Sequence, residues 1–422
     1  MSLTPKQRVE RIVENALCIG CGLCQAVAGS DKIQVRKGQT GYLVPIVSDD
    51  LDSATADLIE DVCPGVHAVG LPAKLIATDS KHDNVWGPWT RMVRAWAGDE
   101  QQRHIGATSG VLTALASYLL TSKQVDFVLH VKPHTTEPSF GEMHISTTPE
   151  EVMQGAGSRY GPTAPLIAID EVLAKGQTFA FIGKPCDISG LRNLAEHDER
   201  VNQLVKFWLA PVCGGWGPPA TTDDFYRRMG VEPEEVTGLR YRGHGCPGPT
   251  RISTQDKVVD AHYLDFWGDD ESMWDMPFRC KVCPDGIGEG ADIAASDTWT
   301  LGSPNRIDSE TDLGTNAIIA RTKAGADLLA EASEYGALTL EADIMPDHMS
   351  IYQTHQMHKK YAVGARYQGL QDAGQLHVRT DRLRIDELSA EVPRHERERQ
   401  RIGTMERVQI GKATQPKPQA AD

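Results

Sequence analysis

The sequence predicts an α/β chain of the α+β kind, with a small cysteine-bearing head ahead of a larger mixed α/β core. Three observations carry that expectation. Four of the nine cysteines fall within the first 63 residues and the others are spaced through the middle of the chain. Short apolar runs of strand length alternate with stretches of helical spacing from about residue 109 to about residue 334. A charged, helix-prone stretch follows, ahead of a tail rich in Lys, Gln, Pro and Ala.

Residues 1–78 form the head, and the polar stretch Asp79–Asn84 reads as a linker. Ser109–Leu120 has helical apolar spacing, with Thr108 or Ser109 as its N-cap. Val125–Val131, Thr178–Ile182 and Leu204–Val212 are apolar runs of buried-strand type. Ala291–Ala295 and Asn316–Ala320 read as further strands, and Lys323–Glu334 as a helix. The expected divisions are 1–78, a core over 85–340, a helical extension over 341–408 and a disordered tail over 409–422.

Bulk properties bound the function. The 422 residues, 40% of them apolar, suffice for two or three domains with real cores. A formal net charge of −15 disfavours nucleic acid as a partner, because phosphate repulsion would need a local basic patch to overcome it. No run approaches eighteen apolar residues and the N-terminus lacks a signal-peptide core, so the expectation is a cytoplasmic protein with no membrane partner. An odd number of cysteines in C-x-x-C groups points to metal in a reducing compartment rather than to disulfides.

The head carries Cys18-x-x-Cys21-x-x-Cys24, then Cys63-Pro64. A 4Fe-4S cube needs four thiolates, and a ferredoxin-like arrangement takes three from one tight loop and one from a distant Cys-Pro. Gly20 and Gly22 let the backbone turn closely enough for amide N–H groups to face the sulfurs. Ala28 occupies the position where a nearby fourth cysteine would fall, so Cys63 is the candidate. Zinc is the rival, although structural zinc sites usually pair two C-x-x-C units.

Five cysteines remain: Cys186, Cys213, Cys246, Cys280 and Cys283. Cys280 and Cys283 make a compact two-ligand hairpin, while Cys186 and Cys213 each follow a predicted strand. Strand ends on one sheet edge gather side chains from distant sequence, so these four can meet. The set suits zinc or a second cube, and spacing alone leaves open which cysteine is spare.

The chain resembles the family of coenzyme F-420 hydrogenase and dehydrogenase beta subunits over roughly residues 15 to 370. That family also includes 7-hydroxymethyl chlorophyll a reductase and a ferredoxin-dependent divinyl chlorophyllide 8-vinyl reductase. The resemblance rests on Cys18–Cys24, Gly106–Leu115, Gly157-Ser158-Arg159-Tyr160-Gly161, Gly183–Arg192, Tyr241-Arg242-Gly243, and Arg279–Cys283 followed by Ala291-Asp292-Ile293. It implies FAD and two 4Fe-4S clusters, with Cys186, Cys213, Cys280 and Cys283 as the second ligand set and Cys246 unligated. The implied architecture is a ferredoxin-like iron–sulfur head followed by a mixed α/β flavin-binding core.

The resemblance directs the remaining candidates. Thr108, Ser109 and Gly110 open a helix whose N-terminus suits a pyrophosphate; an ordinary capped helix is the bland alternative. Ser158, Arg159 and Tyr160 supply a cation and an aromatic ring, or a mere surface turn. Lys184 lies in the block around Cys186, and Asp292 and Asp297 orient flavin hydroxyls or the cluster loop, or simply cap a turn. His244, beside Arg242 in a glycine-rich turn, is the preferred proton donor over His67 and His104. His355–Lys360 reads as a solvated helix face. Trp86, Trp89, Trp96 and Trp216 either wall a flat ligand or fill cores. No Gly-x-Gly-x-x-Gly follows a strand, which leaves a Rossmann-type NAD site unsupported.

The leading expectation is an iron–sulfur flavoenzyme that passes electrons through two clusters and FAD to or from an organic substrate, with ferredoxin or coenzyme F-420 as carrier. The alternative is an electron-transfer subunit of a larger hydrogenase or dehydrogenase complex with no substrate of its own. The chain is then a homo-oligomer or a member of a larger redox complex.

Overall fold

The computed structural model describes residues 3–270, 274–306 and 312–419. Its centre is an eight-stranded mixed sheet. Phe127–Pro133, Phe179–Ile182, Val205–Pro211 and Ile293–Asp297 lie parallel to one another in that order. Gly141–Ser146 closes one flank antiparallel; Asn316–Ala320, Arg91–Ala97 and Leu338–Asp343 continue the other, also antiparallel. The parallel strands are buried on both faces, as their near-continuous apolar sequences require. Expected strands and observed ones differ by no more than about two residues at each end, the usual imprecision of pattern-based boundaries.

One face of the sheet is covered by the helices Val111–Thr121 and Lys323–Glu334, whose Leu115, Leu119, Leu328 and Leu329 meet Val93, Leu209 and Ile318. The other face carries Pro185–Leu194 and Ile169–Ala174. Ile19, Cys21, Leu23 and Val62 of the head enter this second core beside Phe127, Phe179 and Phe181. The head therefore shares apolar burial with the core instead of standing apart from it. Within the head, helices Pro5–Glu14, Leu23–Ala28 and Ser53–Val62 surround the hairpin of Ile33–Lys37 and Leu43–Val47.

Three expectations are corrected. The stretch read as a linker contains the strand Lys81–Asp83, paired antiparallel with Gly87–Trp89. The C-terminal extension is not only helical, because Arg379–Asp381 adds a parallel strand beside His67–Val69 of the head. Residues 410–419, read as disordered, lie along the first helix: the Gln415 amide donates to the Glu14 carbonyl, Ala413 is fully buried, and Lys417 reaches the buried Glu10. Polar composition misled here because the partner surface lies some 400 residues away in sequence. Residues 420–422 lie outside the described residues. Among the described residues no helix is long and apolar enough to cross a membrane.

Candidate functional site

The head brings Cys18, Cys21, Cys24 and Cys63 together. Gly20 and Gly22 take φ of 72° and 88°, turning the chain between the first three thiols. A Cβ on Gly22 would lie 2.6 Å from the Ile167 backbone, so the loop is pressed against the core. Cys63 caps the helix Ser53–Val62, and Pro64 follows it. Burial pushes the Cys18 thiol up to about 12 and those of Cys21 and Cys24 well above their usual range, with the Cys63 charge adding to each. Opposing this, backbone N–H groups of Gly20, Leu23, Gln25, Gly65 and Val66 donate toward the sulfurs.

The second quartet forms at the C-terminal edge of the parallel strands, as strand-end gathering predicts. Cys186 sits in the first turn of Pro185–Leu194, Cys213 follows Val205–Pro211, and Cys280 lies in the short helix Phe278–Lys281 with Cys283 just beyond. The charge of Cys213 bears on both Cys186 and Cys280, and Cys283 bears on all three others. Burial is the main cause that raises the Cys280 thiol to about 12. Lys184 and Lys359 oppose the rise as nearby cations. Cys246 stands elsewhere, 2% exposed beside Arg242.

All nine cysteines are free thiols. Among the described residues no three His, Cys, Asp or Glu side chains converge as tightly as one metal ion requires; a single zinc would draw its sulfurs to about 2.3 Å from one point. Largely buried thiols in two groups of four, the first group faced by backbone amides, are a donor set that fits a polynuclear iron–sulfur centre.

A cavity of about 810 Å³ opens at the same strand edge, within the range of about 300–1,000 Å³ usual for ligand sites. Cys213, Gly214 and Gly215 form part of its wall, so the second quartet abuts it. Val111, Leu112 and Thr113 line the cavity with the N-terminal turn of an eleven-residue helix. The expected Thr108 or Ser109 cap is absent: Gly110 is the N-cap, at φ 73°, and no side chain caps the turn. Thr108 donates instead to Asp297, and Ser109 to Asn316 at 2.7 Å. The first-turn N–H groups thus remain available to an anion.

Arg159 lies on the cavity wall. Its guanidinium donates to the carbonyls of Ser158 and Ala156, and its buried Nε has no partner among the described residues. Burial lowers it from 12.5 to about 10, with only the Tyr241 phenol favouring its charge. Arg242, by contrast, is paired with Asp297 at 3.0 and 3.1 Å and also reaches Thr108 and Tyr160. Lys184 donates to Asp187 at 2.7 Å and to Thr163 at 2.8 Å. Both cations line the cavity with their partners already in place.

Of the candidate residues, Thr108, Gly110, Ser158, Arg159, Tyr160, Lys184 and Arg242 line the cavity. Ser109 and Asp292 do not. Asp292 is buried under the sheet, accepting from the Thr322 hydroxyl at 2.8 Å and the Trp208 amide at 2.9 Å. His244 is exposed and lies outside the cavity lining, packed edge-on to His104. Sequence proximity to Arg242 misled, because the Gly243 and Gly245 turn points neighbouring side chains apart. The walling tryptophans are Trp267, Trp274 and Trp299, whereas Trp86 and Trp89 fill the core, Trp216 packs on Tyr42 and Trp96 stacks under Arg103.

The helix Thr354–Asp372 falls within the expected helical extension, but sequence reasoning missed its burial. Its segment His355–Lys360 reads as a solvated face, yet Gln356, Lys359 and Lys360 are buried and His355 and His358 line the cavity. Gln356 donates to the Cys213 carbonyl at 2.8 Å and Lys359 to the Gly214 carbonyl at 3.1 Å, bracing the second quartet's loop. A long stem buries where its head finds a carbonyl to offset the lost water, and no local pattern announces that.

Two family models match the chain: the coenzyme F420 hydrogenase/dehydrogenase beta subunit N-term model over residues 92–169 and the C terminus model over 176–344. These matches define an oxidoreductase subunit class. The chain belongs to the family of coenzyme F420 hydrogenase/dehydrogenase beta subunits. The coenzyme F420 hydrogenase subunit beta of Methanothermobacter thermautotrophicus is 22% identical over 258 residues, 60% of this chain and 84% of that one. Its counterpart in Methanococcus voltae is 23% identical over 282 residues, covering 65% and 92%. A subunit of the F(420)H(2) dehydrogenase of Methanosarcina mazei is 20% identical over 210 residues, covering 49% and 56%. A chain of the F420-reducing [NiFe] hydrogenase complex from Methanosarcina barkeri shares the fold, with a TM-score of 0.52 and 18% identity over 66% of this chain and 92% of that one. The second quartet lies within the matched C-terminal region, while the first precedes both matched regions.

Proposed function

We propose that this chain is an iron–sulfur flavoprotein that moves electrons between a one-electron carrier and a two-electron acceptor. Cys18, Cys21, Cys24 and Cys63 would hold one 4Fe-4S cluster, and Cys186, Cys213, Cys280 and Cys283 a second. FAD would occupy the cavity, its pyrophosphate on the open N–H groups of Val111–Thr113 and the Arg159 guanidinium, with Tyr160 and the tryptophan walls beside its rings. When bound, the flavin would supply the interchange between single electrons and electron pairs. Arg242, held by Asp297 and Thr108, would fix a substrate oxygen or anionic group without changing its own charge.

One observation carries this reading: the loop bearing Cys213 walls the same cavity that receives an uncapped helix terminus and Arg159, a cation with no carboxylate partner among the described residues. A redox centre and an anion site at one cavity suit a phosphate-bearing redox cofactor. Anaerobically purified protein should be brown, contain about eight irons per chain and release FAD on denaturation, as two cubes and one flavin require. A colourless chain containing zinc would refute the reading. Cys246→Ser should leave the iron content intact, and loss of iron would show that the spare cysteine was misassigned.

A second reading is favoured by the family: the relatives are subunits by name, and this chain would then be an electron-transfer subunit of a larger complex with no substrate of its own. Reduction of coenzyme F-420 by the isolated chain with a chemical reductant would exclude it. Ferredoxin remains the other carrier that the first reading accommodates.

A further inference from the structure

A buried side chain, Arg279, bonds the loop of one quartet from the segment that carries the other. Arg279 precedes Cys280 in the chain and is 2% exposed. Its guanidinium turns away from the second quartet's backbone to bond the loop of the first: Nη2 donates to the Pro64 carbonyl at 2.7 Å and Nε to the Gly65 carbonyl at 3.2 Å. Those are the two residues that follow Cys63. From the opposite side, the helix bearing Cys186 packs on the same loop. A Cβ on Gly190 would come within 3.0 Å of the Pro64 ring, and Asn193 donates to the His67 carbonyl at 3.1 Å. Ser189 accepts from the Val69 amide at 2.8 Å.

Pro64 is thereby clamped between Arg279 and Gly190, each adjoining a cysteine segment of the second quartet. The groups favouring the charge of Arg279 are the thiols of Cys283, Cys186 and Cys280 and the Tyr367 phenol, with no carboxylate among them. On its other side the same cation acts on Cys63. A buried guanidinium without a carboxylate is costly unless anionic centres accompany it. Thiolates on both sides would be those anions.

We propose that Arg279 is a positioning residue that locks the two metal centres at one spacing and biases both toward the reduced state. The inference rests on the two-cluster reading above. Reduction adds a negative charge to each centre, and a fixed cation between them stabilises that added charge at both. The fork on two carbonyls, with the packing of Gly190 on Pro64, holds the Cys63 loop and with it the gap the electron crosses.

The test is an EPR-monitored redox titration of the iron-loaded full chain, wild type against Arg279→Gln and Arg279→Lys. Arg279→Gln keeps a donor for one carbonyl and removes the charge. At a fixed poise it should lower the reduced-to-oxidised ratio of both centres about tenfold, equivalent to about 59 mV for one electron. Arg279→Lys should restore most of that ratio. In the fully reduced wild type the two EPR signals should broaden each other, which needs no variant. Unchanged ratios in an iron-replete Arg279→Gln, a change at one centre only, or wild-type signals that ignore each other would each overturn the assignment. If Arg279→Gln fails to retain iron, the wild-type broadening and an Arg279→Lys ratio equal to wild type decide the matter. A wild-type chain that takes up no iron would instead sink the two-cluster reading itself, before any variant is made.

Discussion

Replacing Arg159 by Gln should make the flavin-free protein more stable and its flavin binding weaker. Burial lowers the Arg159 guanidinium from 12.5 to about 10, and no carboxylate among the described residues offsets the loss of water. That gap corresponds to at most about 3 kcal/mol of destabilisation at neutral pH, an upper value because part of the side chain faces the open cavity. The sign follows from linkage: a base with a lowered folded pKa destabilises the fold wherever the unfolded chain is charged, and the penalty fades as pH rises through about 10. In the flavin-bound protein the same charge would pair with phosphate. A hydrogen bond to a charged group contributes about 1.5–3 kcal/mol, so FAD affinity should fall by about tenfold to 150-fold. The assay is urea unfolding of the iron-loaded, flavin-free protein together with fluorescence titration of FAD. A variant that is less stable without flavin, or that binds FAD as tightly as wild type, would contradict this account of Arg159.

Two other perturbations test the scaffold. Gly22→Ala places a side chain at φ 88° and 2.6 Å from the Ile167 backbone; the left-handed backbone alone costs about 1–2 kcal/mol. Thermal unfolding should come earlier and the head should lose its iron, whereas full iron and an unchanged midpoint would contradict the packing described. His130, whose Nε2 lies 2.7 Å from the Ser146 hydroxyl oxygen, is held neutral by burial, its value lowered from 6.5 to about 4. Its stabilising contribution is therefore complete above pH 6.5 and is lost as pH falls toward 4, by up to about 3 kcal/mol. His130→Gln should flatten the fall in urea midpoint between pH 7 and pH 4.5, and a wild-type slope in the variant would show that another group titrates there.

The strands and the two principal sheet-covering helices were legible because burial writes itself locally. Asn316–Ala320 is buried along its whole length and reads as an apolar run without any tertiary knowledge. The cap of the cavity helix was not legible in the same way. Thr108 and Ser109 are good N-cap residues, but Asp297 and Asn316, from strands almost 200 residues away or more, compete for their hydroxyls and win. Asp292 and Asp297 look alike in sequence, five residues apart near one strand. One ends under the sheet and the other at the cavity, because only Asp297 occupies the strand's C-terminal edge.

Residue order alone was enough to pick out the side chains capable of redox-metal chemistry: thiols at spacings of three, a distant Cys-Pro, and strand-end cysteines. It was enough, too, to require that Gly20 and Gly22 turn the loop, since few other residues accept such backbone angles. Spacing left open which of the five remaining cysteines is spare and only the resemblance implied Cys246; the folded chain adds that Cys246 stands beside Arg242, apart from the other four. From the folded chain, too, came the findings that Arg242 and not His244 meets the cavity, and that Arg279 spans the two quartets. These are matters of where the buried face of each segment points. That direction is set by packing against segments far away in the chain, and a local pattern of residues carries no record of it.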